Sequence, residues 1–354
     1  MFDFADYLAA QLLLKPTDFQ VAVLDGGLTN VTVRASFTAP ISFSKSLPFS
    51  SVVLKYAPPY IAADPTQAMS VHRQVIEANA LCYLAETPEI QDLFARFPNL
   101  KIPHLIHHDS AANPNAFQIF DRDTAPYPTT ARELGATLGA FISDFWKITA
   151  HPTPDTAALF ARTNEQDDPV HFLSSTALKV MSLHGVPDAE ILSKRVRTTM
   201  QTKDKTEPCL GMVDFWPGSI LICPDSTCGL VDWEYFGLST PGAEIGMLVA
   251  HLHLIISQNE RNPQICGAVR TFIAGFLESY GASAPLASTD FNQQALVAYG
   301  REMVNALEFF ATELEESGRK HVLDVGVRSL RSAGVELDVK LDDVGGILWD
   351  EMLR

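Results

Sequence analysis

Two short segments of this sequence carry acidic residues in an arrangement that suits phosphoryl transfer. Met212–Leu221 reads MVDFWPGSIL, and Gly229–Gly237 reads GLVDWEYFG. The first segment supplies one carboxylate, Asp214, and the second supplies Asp232 and Glu234. A carboxylate that accepts a hydroxyl proton, followed by oxygen ligands for Mg²⁺, is the minimum equipment for moving a phosphoryl group. Taken singly, either segment also fits an ordinary β-turn with unremarkable acids, but their order along the chain favours the chemical interpretation.

Each of these side chains has a candidate role. Asp214 would act as the base, or as the group that orients an acceptor hydroxyl. Ser219 would offer an oxygen to the metal or to a neighbouring carboxylate. Asp232 would link Mg²⁺ to the phosphates, and Glu234 would support the metal directly or through water. Three acids gathered without a cation would repel one another, so a bound metal ion is the better explanation of the group.

A lysine and a glutamate precede these acids in the chain. Lys55 ends the apolar strand SVVLK, where its side chain either reaches solvent or points inward to meet phosphates. Glu77 lies on the following predicted helix, four residues after Arg73, and a surface pair with that arginine is one interpretation. The other is an ion pair with Lys55, which would hold the lysine in place for a nucleotide.

A glycine-containing loop joins the first two predicted strands. It reads DGGLTN and consists of Asp25, Gly26, Gly27, Leu28, Thr29 and Asn30. Its glycines permit a close approach of the backbone to a phosphate. Asp-Gly and Gly-Gly are equally typical of an ordinary hairpin, so the loop alone leaves both interpretations open.

Composition limits the class of protein and its partners. The chain has 354 residues, of which 47% are hydrophobic and 19% charged, as expected of a globular protein with one or two sizeable cores. A net charge of −16 leads us to expect no nucleic-acid partner. The acidic N-terminus does not resemble a signal peptide, and the apolar run Gly246–Ile256 is too short to span a membrane. Five cysteines without CxxC spacing indicate neither a disulfide framework nor a zinc site, and we expect a cytoplasmic protein.

The predicted elements change character near residue 120. Strands dominate the first part, with one helix, Ser70–Leu84, after the third strand. Amphipathic helices dominate from Thr130 onward, including one long stretch predicted over Phe291–Glu316. We therefore predict an α+β fold with two lobes: an N-terminal nucleotide-binding lobe over residues 1–120, a hinge over 121–127, and a helical C-terminal lobe over 128–354 that holds the catalytic and metal-binding segments and the acceptor site.

In this order of features the chain resembles the aminoglycoside phosphotransferase and choline kinase superfamily, which has a protein-kinase-like fold. The closest resemblance is to methylthioribose kinases, and it extends over roughly residues 24–254. The stretches that carry it are DGGLTN, SVVLKYAPPY, RQVIEANAL, IPHLIHHD, STPGAEIGMLVAHL and the serine at position 219.

The resemblance implies a role for each matching residue. Lys55 and Glu77 would form the pair that aligns the nucleotide, and the loop from Asp25 to Asn30 would cover its phosphates. Adenine would bind the hinge backbone at Phe120, Asp121 and Arg122. Asp214 would be the catalytic aspartate, and Asp232 and Glu234, with Ser219, would hold the metal. The cofactors would be ATP and Mg²⁺.

Three departures from the family pattern concern activity and substrate. Met212 and Val213 stand where the family usually has His-Gly before its aspartate, and that histidine commonly braces the loop. Trp216 replaces another common histidine. Methylthioribose kinases also carry adjacent arginines near the C-terminus, whereas Arg328 and Arg331 are the nearest candidates here.

The sequence thus predicts an ATP- and Mg²⁺-dependent kinase that phosphorylates an alcohol group of a sugar, amino alcohol or related metabolite. The partner would be this small-molecule hydroxyl acceptor, with no nucleic acid and no membrane, and a homodimer is compatible with the sequence. The alternative is a catalytically weak or inactive nucleotide-binding pseudokinase with a regulatory role, which the missing His-Gly motivates. A metal-dependent hydrolase using the same acids ranks last, because it leaves Lys55 and its lobe unexplained.

Overall fold

The fold is described from a computed structural model that covers most of the chain. The described residues are 2–24, 27–43, 48–109, 114–118, 130–162, 169–201, 208–223, 227–283, 289–311 and 313–333. The helices are α1 (Phe4–Leu12), α2 (Arg73–Glu86), α3 (Pro88–Arg96), α4 (Ala131–Ile148), α5 (Pro154–Ala158), α6 (Pro169–Leu183), α7 (Ala189–Gln201), α8 (Pro241–Gln258), α9 (Pro263–Ser283), α10 (Thr289–Phe309) and α11 (Glu316–Ser332).

The strands are concentrated in the N-terminal part and are short elsewhere. They are β1 (Phe19–Val23), β2 (Val31–Ile41), β3 (Phe49–Tyr56), β4 (Tyr60–Ile61), β5 (Asp64–Ala68), β6 (Leu100–Lys101), β7 (His104–His108), β8 (Pro114–Gln118), β9 (Cys209–Gly211), β10 (Ile220–Ile222), β11 (Cys228–Leu230) and β12 (Gly237–Ser239). The predicted α+β fold class, with strands first and helices after them, is confirmed.

The chain forms two compact units. The first consists of Met1–Gln91, Pro98–Pro126 and Leu221–Tyr235, and the second of Asp92–Phe97, Tyr127–Ile220 and Phe236–Arg354. The segment with Asp232 and Glu234 therefore groups with the N-terminal residues, whereas we predicted it as part of the C-terminal lobe. The predicted hinge over 121–127 lies outside the described residues and stays a prediction.

The first unit is built on a five-stranded antiparallel sheet of order β1-β2-β3-β8-β7. Alternate residues of β2 are buried, as expected of a strand with one face on a core. Helix α1 covers that face through Phe4 and Leu8, which pack with Val33 and Leu54 of the sheet. Helix α2 packs against β7 and β8.

The second unit is helical, and its closest packing is between α4 and α9. Gly135 and Gly139 of α4 leave room for the backbone of α9: a Cβ atom at either would come within 2.1 or 2.2 Å of the carbonyl oxygens of Phe272 and Phe276. A capping box at Thr130 and Glu133 fixes the start of α4. The apolar run Gly246–Ile256 forms most of the buried part of α8. In the part of the chain that the structure describes, every helix is too short or too polar to cross a membrane.

The long helix predicted over Phe291–Glu316 is two helices, so that prediction is wrong. Helix α10 ends at Phe309, and α11 starts after Glu315. The break is stabilised by Arg319, whose guanidinium donates hydrogen bonds to the carbonyls of Ala311 (2.9 Å) and Leu307 (3.1 Å). Both carbonyls lie near the end of α10, where the intrahelical hydrogen bonds stop, and that of Ala311 also accepts a 3.2 Å hydrogen bond from the N–H of Leu314. No glycine or proline marks the break in the sequence.

Candidate active site

Lys55 and Glu77 form a buried ion pair in the first unit. Strand β3 is buried on both faces from Val52 to Lys55, and because side chains alternate, Lys55 points away from the core that contains Leu54. Its Nζ lies 3.0 Å from Oε1 of Glu77 on α2, and the two residues are 8% and 3% exposed. The solvent-exposed interpretation of the lysine and the surface interpretation of the glutamate are therefore wrong.

The acids of the GLVDWEYFG segment converge on the same lysine. Nζ of Lys55 lies 2.5 Å from Oδ1 of Asp232 and 3.3 Å from Oε2 of Glu234. Burial would lower the pKa of Lys55, but the negative charges of Asp232, Glu234 and Glu77 together raise it well above its usual value. The lysine therefore carries its positive charge at every physiological pH.

Burial raises the pKa of Glu77 to about 7, against the opposing attraction of Lys55. Oε2 of Glu77 is buried and has no hydrogen-bond partner among the described residues. Near neutral pH the glutamate therefore titrates beside a lysine that stays charged. The three carboxylates around Lys55 leave this part of the molecule with an excess of negative charge when all of them are ionised.

The loop with Asp214 belongs to the second unit and is fixed by a buried glutamate. Val213, directly before Asp214, has a positive φ of 64°, a conformation that costs a β-branched residue free energy. Its N–H donates a 2.9 Å hydrogen bond to Oε1 of Glu244, in the first turn of α8. Ser239 also donates to this oxygen. Glu244 thus braces the loop at the position where the predicted family pattern has His-Gly.

Ser219 closes the same loop from its other end. Its buried hydroxyl donates a 3.0 Å hydrogen bond to the backbone carbonyl of Asp214. Trp216 packs on the aromatic side chains of His251 and Phe310, with ring centroids 5.3 and 5.8 Å away. These contacts position the loop, and His251 is a buried residue of α8.

The structure brings together Lys55, Glu77, Asp232 and Glu234, all within the first unit. Asn30, also predicted as part of the nucleotide site, joins them through a hydrogen bond from its Nδ2 to Glu234. Gly27 lies in the same loop, with Asn30 O 3.1 Å from where its Cβ would be. Five other predicted cofactor-binding residues lie outside the described residues: Asp25, Gly26, Phe120, Asp121 and Arg122.

Sequence analysis does not single out Thr29, Arg73 or Glu244. Thr29 falls within the loop that is predicted to cover the phosphates, and Arg73 enters only as a possible surface partner of Glu77. Glu244 stands in the first turn of a helix that begins with Pro-Gly, and such an acid ordinarily only complements the helix dipole. A positive-φ residue before Asp214 would have signalled the need for a brace, but valine gives no hint of it.

The donor set of the first unit suits a magnesium–triphosphate group. The Asp232 side chain is 29% exposed, so its carboxylate can offer oxygen to a hard cation, and Lys55 can offer a charged N–H to phosphate. A divalent cation would also offset the excess of negative charge. Among the described residues no group of three or more His, Cys, Asp or Glu has metal-binding geometry, so phosphate and water oxygens would have to complete the coordination shell. The Mg²⁺ assignment stays a prediction.

Two curated proteins are similar to the chain in sequence. The 4-hydroxytryptamine kinase of Psilocybe cyanescens is 25% identical over 266 residues, which cover 70% of this chain and 72% of the relative. The 4-hydroxytryptamine kinase of Psilocybe cubensis is 24% identical over 272 residues, with the same coverage. No protein-family model matches the chain.

Solved structures of low sequence identity share the fold. A choline kinase from Cryptosporidium parvum Iowa II aligns with a TM-score of 0.51 at 12% identity, covering 93% of this chain and 96% of that one. The GDP and kanamycin complex of an aminoglycoside phosphotransferase aligns with a TM-score of 0.51 at 13% identity, covering 94% and 99%. The predicted fold of this superfamily and the predicted class of enzyme, a phosphotransferase, are confirmed, whereas the narrower resemblance to methylthioribose kinases stays a prediction.

Proposed function

We propose that this chain, which has the fold of the aminoglycoside phosphotransferase and choline kinase superfamily, uses ATP and Mg²⁺ to phosphorylate a hydroxyl group of a small molecule. The observation that carries the proposal is the convergence of Glu77 and Asp232 on the buried Lys55. Ion-pair partners on both sides hold the lysine in one position, and its raised pKa keeps it charged. A lysine that binds phosphate needs both a fixed position and a positive charge.

Each residue has a part in the proposed reaction. Lys55 donates hydrogen bonds to the phosphates, and Asp232 supplies an oxygen ligand to the metal. Bound Mg²⁺ would neutralise charge on the β- and γ-phosphates. Asp214 orients the acceptor hydroxyl and takes its proton as the new oxygen–phosphorus bond forms, while the bond from the γ-phosphorus to the bridging oxygen breaks and ADP leaves.

The brace at Glu244 favours an active kinase over the pseudokinase alternative. The absent His-Gly motivated that alternative, since a loop without support would present its aspartate poorly. In this chain the Val213 N–H is held by a carboxylate that is 2% exposed, and the Ser219 hydroxyl holds the carbonyl of Asp214. The loop before and after the aspartate is therefore fixed by other means.

Two kinds of similar protein suggest acceptors to test. The curated relatives are named for 4-hydroxytryptamine, and solved structures of this fold include choline kinase and an aminoglycoside phosphotransferase. We propose a hydroxylated compound with a cationic nitrogen as the acceptor class, because the three compounds share a positively charged nitrogen and a hydroxyl. The net charge of −16 would also favour the approach of a cationic acceptor.

The test is to incubate the purified protein with Mg-ATP and a panel of 4-hydroxytryptamine, choline, kanamycin and a metabolite extract. Mass spectrometry should show a product heavier by one phosphate. Asp214→Asn should lower the rate at least ~10²-fold, as for the loss of a positioned base. Asp155→Asn, which removes an exposed acid from the same unit, is the control and should leave the rate unchanged. Nucleotide binding without any phosphorylated product would support the pseudokinase instead.

A further inference from the structure

A buried polar network surrounds Glu234 and connects it to the loop before β2. It consists of Thr29, Asn30, Arg73 and Glu234, and we call it the Glu234 network. Oε1 of Glu234 accepts a 2.9 Å hydrogen bond from the Thr29 hydroxyl, and Oε2 accepts one from Nδ2 of Asn30. Nε of Arg73 lies 3.9 Å from the same Oε2. Both carboxylate oxygens of Glu234 therefore already have partners from the protein.

Asp232 and Glu234 have contrasting environments although one residue separates them. The Glu234 side chain is 1% exposed, whereas that of Asp232 is 29% exposed. Lys55 contacts Asp232 more closely, at 2.5 Å against 3.3 Å for Glu234. A metal ion could reach Asp232 from solvent. To reach Glu234 it would first have to displace hydrogen bonds from two side chains in a buried position.

Arg73 extends the network to three backbone segments. It is 4% exposed and donates to the side chain of Asn30 (3.1 Å) and to the carbonyls of Thr29 (3.1 Å) and Pro58 (2.9 Å). It also donates to the carbonyl of Ser70. Arg73 is the first residue of α2, the helix that carries Glu77. One guanidinium thus joins the loop, the chain after β3 and the start of that helix.

We propose that Glu234 is a positioning residue, which together with Arg73 holds the Gly27–Asn30 loop for the nucleotide phosphates, and that Asp232 alone of the two acids ligates the metal. This inference rests on the proposed function, since it assigns parts within the same nucleotide site. It departs from the predicted role of Glu234 as a metal ligand. The network acts on nucleotide affinity through the shape of the loop, whereas Asp232 acts on metal affinity directly.

The distinguishing experiment measures two affinities separately in Glu234→Gln and Asp232→Asn. The affinity for a non-hydrolysable ATP analogue is measured by calorimetry with and without Mg²⁺. The affinity of the protein–analogue complex for Mn²⁺ is measured by electron paramagnetic resonance. Glu234→Gln should weaken the analogue about tenfold in both conditions and leave Mn²⁺ affinity within about twofold, because the amide disturbs the network and not the metal ligand. Asp232→Asn should lower Mn²⁺ affinity at least about tenfold.

Arg73→Lys tests the coupling within the network. Lysine keeps the charge but loses the planar set of donors, so analogue affinity should fall about as much as in Glu234→Gln. The double variant should lose less than the sum of the two, because both substitutions break one network. Glu86→Gln, an exposed acid at the other end of α2, is the control and should bind like the wild type. Should Arg73→Lys fail to fold, Thr29→Val removes one hydroxyl with little change of shape and should weaken the analogue severalfold.

The outcomes separate this inference from the proposed function. Equal losses of Mn²⁺ affinity in Glu234→Gln and Asp232→Asn would make Glu234 a metal ligand and overturn the inference. Wild-type analogue affinity in Glu234→Gln, or in Thr29→Val where that variant replaces Arg73→Lys, would overturn it as well, and the kinase assignment would stand. A wild-type protein that binds no analogue at all would overturn both.

Discussion

Among individual residues, Lys55 shows how neighbouring carboxylates allow a charged side chain to be buried. A lysine in a strand ordinarily extends its charge to water, but here three carboxylates receive it in a buried position. The carboxylates come from two local contexts: Glu77 lies on helix α2, and Asp232 and Glu234 lie in the loop after β11. The positive charge of Lys55 offsets the mutual repulsion of these three carboxylates, which would otherwise destabilise the folded state.

Lys55→Met should therefore lower kcat/KM for ATP by about 10²- to 10³-fold, the usual loss when one prepositioned donor is removed. Steady-state kinetics with saturating acceptor would measure it. Lys101→Met, which removes an exposed lysine from the same unit, is the matched control. Circular dichroism at the assay temperature must show both variants folded. Near-normal turnover by folded Lys55→Met would contradict the assigned role.

The pairing of Lys55 with Glu77 is one of two interpretations that the residues alone allow, and the resemblance to the superfamily favours it. The role of Arg73 could not be predicted from the sequence. Three of the groups that Arg73 contacts are backbone carbonyls, and every residue has one, so no residue type signals the contact. Side-chain partners leave a pattern in the sequence, and backbone partners do not.

Between elements, the closest contact is the one of α4 with α9, and glycines permit it. Gly139→Ala would place a methyl group 2.2 Å from the carbonyl oxygen of Phe276, so the helices would have to move apart. We expect a loss of about 2–3 kcal/mol in the free energy of unfolding. Gly267→Ala is the control, since a Cβ there meets no atom within 4 Å, and alanine in a helix should gain ~0.5–1 kcal/mol. Urea denaturation measures both, and equal midpoints would contradict this account.

His253 of α8 lies where α9, α10 and α11 also approach, and it is buried there. Protonation of a buried histidine is unfavourable, so the packing of these helices should be sensitive to acid. Burial, followed by the charges of His321 and Arg270, lowers the pKa of His253 to about 4, and its Nδ1 is hydrogen-bonded to Tyr299. In the unfolded chain a histidine titrates near 6.5. The fold therefore favours neutral histidine, and its stability should fall as pH drops from about 6.5 to about 4, by on the order of 3 kcal/mol.

The pH dependence of the denaturation midpoint tests this expectation. His253→Gln cannot titrate, so its stability should fall less steeply between pH 6.5 and pH 4 than that of the wild type, whatever its absolute stability. His184→Gln, which removes an exposed histidine, should keep the wild-type slope. Parallel slopes for His253→Gln and the wild type would show that His253 is not the group responsible.

Most helices of the second unit could be predicted because their apolar residues recur with a helical period. The break between α10 and α11 could not, since it is stabilised by hydrogen bonds from Arg319, a side chain one turn into the following helix, to backbone carbonyls. The short helix α3 and the hairpin β4–β5 were also missed. Each of these elements is short, so it contains too few residues to show a clear periodic pattern of apolar side chains.

For the whole molecule, ligand binding should appear as added stability. A ligand at 100 times its Kd stabilises the state that binds it by about 2.7 kcal/mol. Mg-ATP should therefore raise the Tm of the wild type clearly, ATP with EDTA should raise it less, and Mg²⁺ alone should have little effect. Differential scanning fluorimetry measures all three. Equal shifts with and without EDTA would argue against a metal in the nucleotide site.

The backbone at Asp232 has a wider consequence. Its φ of 71° lies in the left-handed region, where a residue with a side chain carries a cost of ~1–3 kcal/mol that glycine avoids. The carboxylate also adds a third negative charge around Lys55. Glycine at position 232 would relieve this strain but would lose the ion pair with Lys55. Under the proposed function it would also remove the metal ligand, so heat resistance alone is the wrong score for engineered variants at this position.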